Sequence, residues 1–125
     1  MRAQSKERRI AAWVLIGLIS AVFILSAVAK LAAAQAVVDM FQKWGLSNHL
    51  VLIGIIELIS AVLFVIPRTH SLGLLLLTAY MGGAIVTHMA QDEPYISAAV
   101  FLAAVWLAGF LRHPELLQSF RRPAP

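Results

Sequence analysis

The sequence predicts an all-α integral membrane protein: a four-transmembrane-helix bundle with a short amphipathic interfacial helix between spans 1 and 2. Three observations carry this reading. The chain has 125 residues, is 61% hydrophobic and has a mean hydropathy of +0.85, more apolar surface than a soluble domain of this size could hide. Its long apolar runs, at about 20 residues per crossing, use up nearly all of its length, so residues 1–125 form a single membrane domain with no separate soluble catalytic unit. The net charge of +4 and the pI near 10.1 come from basic residues flanking the apolar runs, which points to anionic lipid head groups and not to nucleic acid. With no cysteine, disulfides, thiol redox chemistry and thiolate metal sites are excluded.

The elements follow in order. After a basic tail ending in Arg8-Arg9, residues 10–29 run without a charge and form the first span. Ala27-Val28-Ala29 mimics a signal-cleavage site, but the apolar run exceeds a signal core, so the expectation is a retained helix. Gly17 and Ala21, four apart, give it a small-residue strip for close helix approach. Ser26 and Lys30, also four apart, share a face at its far end. Residues 31–44 place Val37, Phe41 and Trp44 at helical spacing, an amphipathic interfacial helix anchored by Trp44 and ended by Gly45. Ser47 or Asn48 then caps the second span, residues 50–66. Pro67-Arg68-Thr69-His70 makes a tight turn into the third span, residues 71–90. There Tyr80, Thr87, His88 and Gln91 fall on one face, and Gly82-Gly83 permits close backbone approach. The fourth span covers residues 95–111, with Ala99 and Ala103 as a further small-residue strip.

With four spans, both termini and the Pro67–His70 turn share one side of the membrane. That side carries Arg2, Lys6, Arg8, Arg9, Arg68, Arg112, Arg121 and Arg122, eight of the ten lysines and arginines, against Lys30 and Lys43 opposite. The positive-inside rule puts both termini in the cytoplasm. Glu57 lies near the middle of the second span, where a charge costs about 2.5–3.5 kcal/mol on insertion scales and needs a partner. It falls seven residues past Leu50, or roughly 10 Å inward at 1.5 Å per residue. Lys30 at the outer boundary, Thr87 and His88 one turn in, and Tyr80 deeper all reach that level, so Lys30, Glu57, Tyr80, Thr87 and His88 are expected to share one polar pocket. The competing account is packing glue, with polar pairs fixing helix register and no ligand. A metal site built from Glu57, His88 and His49 lacks any compact ligand motif and is not expected.

These residues resemble the DoxX-like small membrane proteins. The resemblance rests on Ser26 to Lys30-Leu31, on Gly54-x-x-Glu57-Leu58, on the string Thr78 to His88, and on Trp106 through Leu111-Arg112-His113-Pro114-Glu115-Leu116. It implies a four-helix membrane bundle, and the chain is expected in a bacterial cytoplasmic membrane. It also implies association with quinone-linked oxidoreduction in some relatives, and a role as assembly chaperones in animal ones.

Two function classes stay open. In the first, the chain is a membrane subunit that binds a quinone- or quinol-type lipophile. Glu57 and His88 accept protons, Tyr80 or Thr87 orients the ring, and Lys30 governs the charge of Glu57. The sequence carries no flavin, haem or iron–sulfur signature, so electrons would pass to an oxidoreductase partner protein. In the second, it is a chaperone or scaffold whose small-residue strips dock partner helices or a second copy of the chain. Lipid-like or quinone-like density against Glu57 favours the first, and a dry cluster filled by side chains favours the second.

Overall fold

The computed structural model describes residues 5–118; Arg2, Arg121 and Arg122 of the charge count lie outside them. Five α-helices follow in order: α1 (Lys6–Leu31), α2 (Gln35–Lys43), α3 (Leu50–Val65), α4 (His70–Ala90) and α5 (Ile96–Arg112), with a 3-10 turn at Ser47–His49 before α3. α1, α3 with its preceding turn, and α4 are long and apolar enough to cross a membrane, whereas α5, at 17 residues, is apolar but shorter. α1 packs against α3 and α5, and α4 packs against the same two, which closes the four long helices into a ring.

Ile16, Phe23, Phe64, Leu74, Leu77 and Val105 meet inside the ring. Leu18, Leu25, Ile59, Leu75 and Val100 point outward and are more than half exposed. In water such a surface would drive aggregation; against lipid tails it is the side the solvent prefers.

The two ends of the bundle are finished differently. At the α3–α4 end, Ile66 is extended, as the residue before Pro67 must be, and the chain reverses within four residues. The carbonyls stranded at the end of α3 are taken by side chains of the turn. Thr69 Oγ1 donates to Leu63 O at 2.9 Å, and His70 Nδ1–H donates to Phe64 O at 2.7 Å. Arg8 of α1 donates to the Phe110 and Leu111 carbonyls of α5, at 3.1 and 3.3 Å, and so closes the ring at this end.

At the opposite end, α1, α2 and α4 all stop by the same device. The residue after each cap, Ala33, Gly45 or Asp92, takes a left-handed backbone, with φ of 54°, 72° and 53°. Its N–H and the next one bond back to the last turn, as in Gly45 N–H to Gln42 O and Leu46 N–H to Phe41 O. The chain leaves α2 already turning, and the His49 N–H reaches Leu46 O at 2.9 Å. The 3-10 winding therefore leads into α3 without a side-chain cap, and Ser47 and Asn48, expected in that role, are exposed and make no cap bond.

The expected close-approach positions are only partly those the fold uses. Gly54 is buried, and a β-carbon there would lie 3.1 Å from Lys30 Cβ and from Leu31 Cδ2. Gly17 and Ala21 face outward, and nothing lies within 4 Å of where a Gly17 β-carbon would be. The same open space surrounds Gly82 and Gly83. The tightest approach is at Gly73, where a β-carbon would collide with the Phe64 backbone, followed by Gly109 against Leu74 and Leu116. Gly73→Ala should therefore lose about 1–3 kcal/mol through overpacking. Gly17→Ala, on an open helix face, should gain about 0.5–1 kcal/mol. Thermal unfolding of the two variants in detergent checks the contrast.

Candidate functional site

The site starts from an ion pair. Lys30 Nζ lies 2.9 Å from Glu57 Oε1 and donates at 2.7 Å to Ser26 Oγ, one turn back on α1. Lys30 is 7% and Glu57 2% exposed, so both charges are out of solvent. Local sequence explains the fit. Gly54, one turn before Glu57 on α3, has no side chain to hold α1 away. The Lys30 stem thus lies against α3 and its ammonium arrives level with Glu57. Lys30 occupies Oε1 and leaves Oε2 available to other donors. The Tyr80 hydroxyl approaches the same carboxylate from α4. Its ring is held edge-on by Phe23, with centroids 6.3 Å apart.

These groups line a cavity of about 690 Å³ that Thr87 and His88 line as well. Lys30, Glu57, Tyr80, Thr87 and His88 all line this cavity, in the half of the bundle next to α2. Thr87 Oγ1 donates to Gly83 O at 2.8 Å, which leaves its oxygen lone pairs as acceptors. His88 Nδ1–H donates to Ala84 O at 2.7 Å, which leaves Nε2 as an acceptor. Most of the remaining wall is apolar, including Phe41, Ile53 and Phe101. Ile56 on α3 and Ala79 and Gly83 on α4 line the cavity and are also exposed. The cavity wall therefore reaches the outer surface of the bundle at the α3–α4 flank, and also at Val22 on α1 and Ser97 on α5. Gly82 and Gly83 keep the α3–α4 flank free of side chains, a different use from the helix contact expected of them.

Trp44 is likewise not simply an outward anchor. Its indole N–H donates at 3.1 Å to Glu93 Oε1 in the α4–α5 loop, and its ring meets the His88 ring edge-on at 5.2 Å. Lys43 Nζ reaches the same Glu93 oxygen at 3.1 Å. The Trp44 hydrogen bond, and then Lys43, hold the Glu93 carboxyl below the usual carboxylate range, so it keeps its charge. Phe41 is buried and packs 5.5 Å from the Trp44 ring. α2 thus folds its apolar side over the end of the cavity. Sequence reasoning missed Glu93 in this role; its signal was the opposite charge of Lys43 in the other segment at the same end. Gln91, expected on the Tyr80 face, caps α4 outside the cavity, and His49 is exposed on the 3-10 turn.

A buried pair is far costlier to break than to remove whole. Lys30→Met should cost roughly 3–5 kcal/mol in the native background and much less in Glu57→Gln. A double-mutant cycle by thermal unfolding in detergent reads the difference, and additive losses would mean that the two side chains do not interact.

The chain matches the DoxX-like family over residues 14–111, a stretch holding all five site residues and nearly all of the helical bundle. No curated protein and no solved structure matches it. With its ring of apolar helices and a match over most of its length, the chain is a small membrane protein belonging to the DoxX-like family.

Proposed function

We propose that this protein binds a lipophilic ligand with a polar head group, of the quinone or quinol type, in the cavity beside Glu57, and supports an oxidoreductase partner. The observation that carries the reading is a buried ion pair forming part of the wall of a largely apolar space that reaches the surface at the α3–α4 flank. The volume falls within the range of small-molecule sites, about 300–1,000 Å³. A wall that reaches the flank suits a molecule that arrives dissolved in the bilayer. The head group supplies the redox chemistry when bound. The protein's residues hold and move its protons: the Tyr80 hydroxyl donates, and Glu57 Oε2 and His88 Nε2 accept. Lys30 holds Glu57 Oε1 and leaves the second carboxylate oxygen to the head group. A purely structural polar cluster, as in a chaperone or scaffold, would be filled by side chains, and a cavity beside it weighs against that reading.

The proposal includes a placement in a bacterial cytoplasmic membrane with four crossings. α5 spans roughly 25 Å at 1.5 Å per residue, a mismatch that a bilayer or neighbouring helices accommodate at small cost. Lys6, Arg8, Arg9, Arg68 and Arg112 lie at one end and only Lys30 and Lys43 at the other among the described residues, which favours cytoplasmic termini. α2 then lies at the outer interface. Single cysteines at Ser5→Cys and Asn48→Cys should react with an impermeant thiol reagent from opposite sides of the membrane. Reaction of both from one side would overturn the four-crossing topology.

The ligand test is extraction of lipophiles from protein purified in mild detergent, read by mass spectrometry, followed by titration with a short-chain ubiquinone analogue. A quinone-class molecule should copurify, and the analogue should bind about three- to tenfold more weakly to Tyr80→Phe, the worth of one hydrogen bond. Recovery of phospholipid alone, with no analogue binding, sinks the proposal.

A further inference from the structure

Resting on the reading of the cavity as a ligand site, we infer that α2 is a lid that shuts the cavity from water at its end of the bundle and is latched through Glu93. The lid is bounded on both sides by left-handed residues, Ala33 and Gly45, where the chain changes direction with no helical ladder running through. Its backbone lies close to the end of α1 and to the 3-10 turn, while its hold on the rest of the bundle is through side chains. Phe41 is the plug, buried at the cavity wall beside Met40 and Leu46. Trp44 and Lys43 are the latch, both on Glu93 Oε1.

The strengths of these contacts suit a lid that opens. Lys43 is largely exposed, so its attraction to Glu93 is screened and weak. The indole hydrogen bond and the burial of Phe41 carry the closed state. The charged and titratable groups around the latch are Lys43 on α2, His88 on α4 and Asp92 beside Glu93; Asp39, further back on α2, is engaged by Gln35 at 2.8 Å. Glu93 stays ionised through mild acidification, so its own charge remains available to the latch there.

The site then has two approaches. A lipophile comes from the bilayer through the α3–α4 flank at Ile56, Ala79 and Gly83. Water, protons and small polar solutes come past α2, where His88 lies directly beneath Trp44. Separating the two lets the protein hold a lipophile while it controls what reaches the Glu57 carboxylate from solution.

The chain has no cysteine, so one introduced thiol reports access. Ala84→Cys places it on the cavity wall and Ile56→Cys at the α3–α4 flank. The protein is reconstituted in lipid nanodiscs and treated with a water-soluble, negatively charged methanethiosulfonate. Adding Glu93→Ala or Trp44→Ala should speed modification in the Ala84→Cys background about fivefold or more, the shift expected when a weak surface contact is lost from an opening equilibrium. Glu93→Gln, which keeps an acceptor oxygen for the indole, should fall between them and the parent. The Ile56→Cys rates should not change. Unchanged rates at Ala84→Cys overturn the lid, and an equal rise at both positions also overturns it, since it means general loosening. Protection of the Ala84→Cys thiol by a short-chain ubiquinone analogue is scored separately. Its absence counts against the ligand and leaves the lid standing on the rate changes.

Discussion

The structure depends on how one carboxylate is kept at the middle of a helix in an apolar bundle. Glu57 needs a positive charge within reach, and that need fixes several features at once. α1 must run long enough to carry Lys30 on its last turn. Its stem must pass close to α3, which Gly54 permits. Ser26 must sit one turn back to take a second ammonium proton. Shift α1 by one residue along its axis and the ammonium no longer meets Oε1. The pair therefore fixes where α1 meets α3.

Why the open space lies at this end follows from the opposite one. There Gly73 sits on the Phe64 backbone, Gly109 meets Leu74, the four-residue turn is closed by Thr69 and His70, and Arg8 joins α1 to α5. Little can give. Towards α2, by contrast, Gly82 and Gly83 withhold side chains from the flank of α4, and three helices stop on left-handed residues, of which Gly45 has open space around it. A bundle clamped at one end and spared side chains at the other leaves its void at the spared end.

Most of the architecture was legible in the sequence because lipid demands uninterrupted apolar runs, and such runs mark themselves. The second span, read as residues 50–66, is found as Leu50–Val65. The first begins earlier than its apolar run, at Lys6, because Ser5 Oγ accepts the Arg8 N–H and starts a polar helical turn ahead of it. The shared pocket was legible too, since depth along a helix follows from residue count. What did not show was lateral position. An indole at a helix end reads as a lipid anchor whether it faces lipid or folds over a cavity, and its partner Glu93 lies 49 residues away. Glycines posed the same difficulty. Gly17, Gly73 and Gly82 are alike on paper, and only the packed helices show which one meets a backbone.

The order of the ion pair along the chain has a consequence for how the protein is made. Lys30 precedes Glu57 by 27 residues, so synthesis from the amino terminus delivers the cation first. When the segment bearing the carboxylate follows it, a neighbour with the neutralising charge is already in place. The reverse order would have left an acidic helix waiting in hydrocarbon for a partner not yet translated. After Glu57, the tight α3–α4 turn lets α3 and α4 enter as one hairpin whose turn already supplies its own hydrogen-bond donors. Biogenesis thus meets its hardest electrostatic step with the remedy one helix upstream.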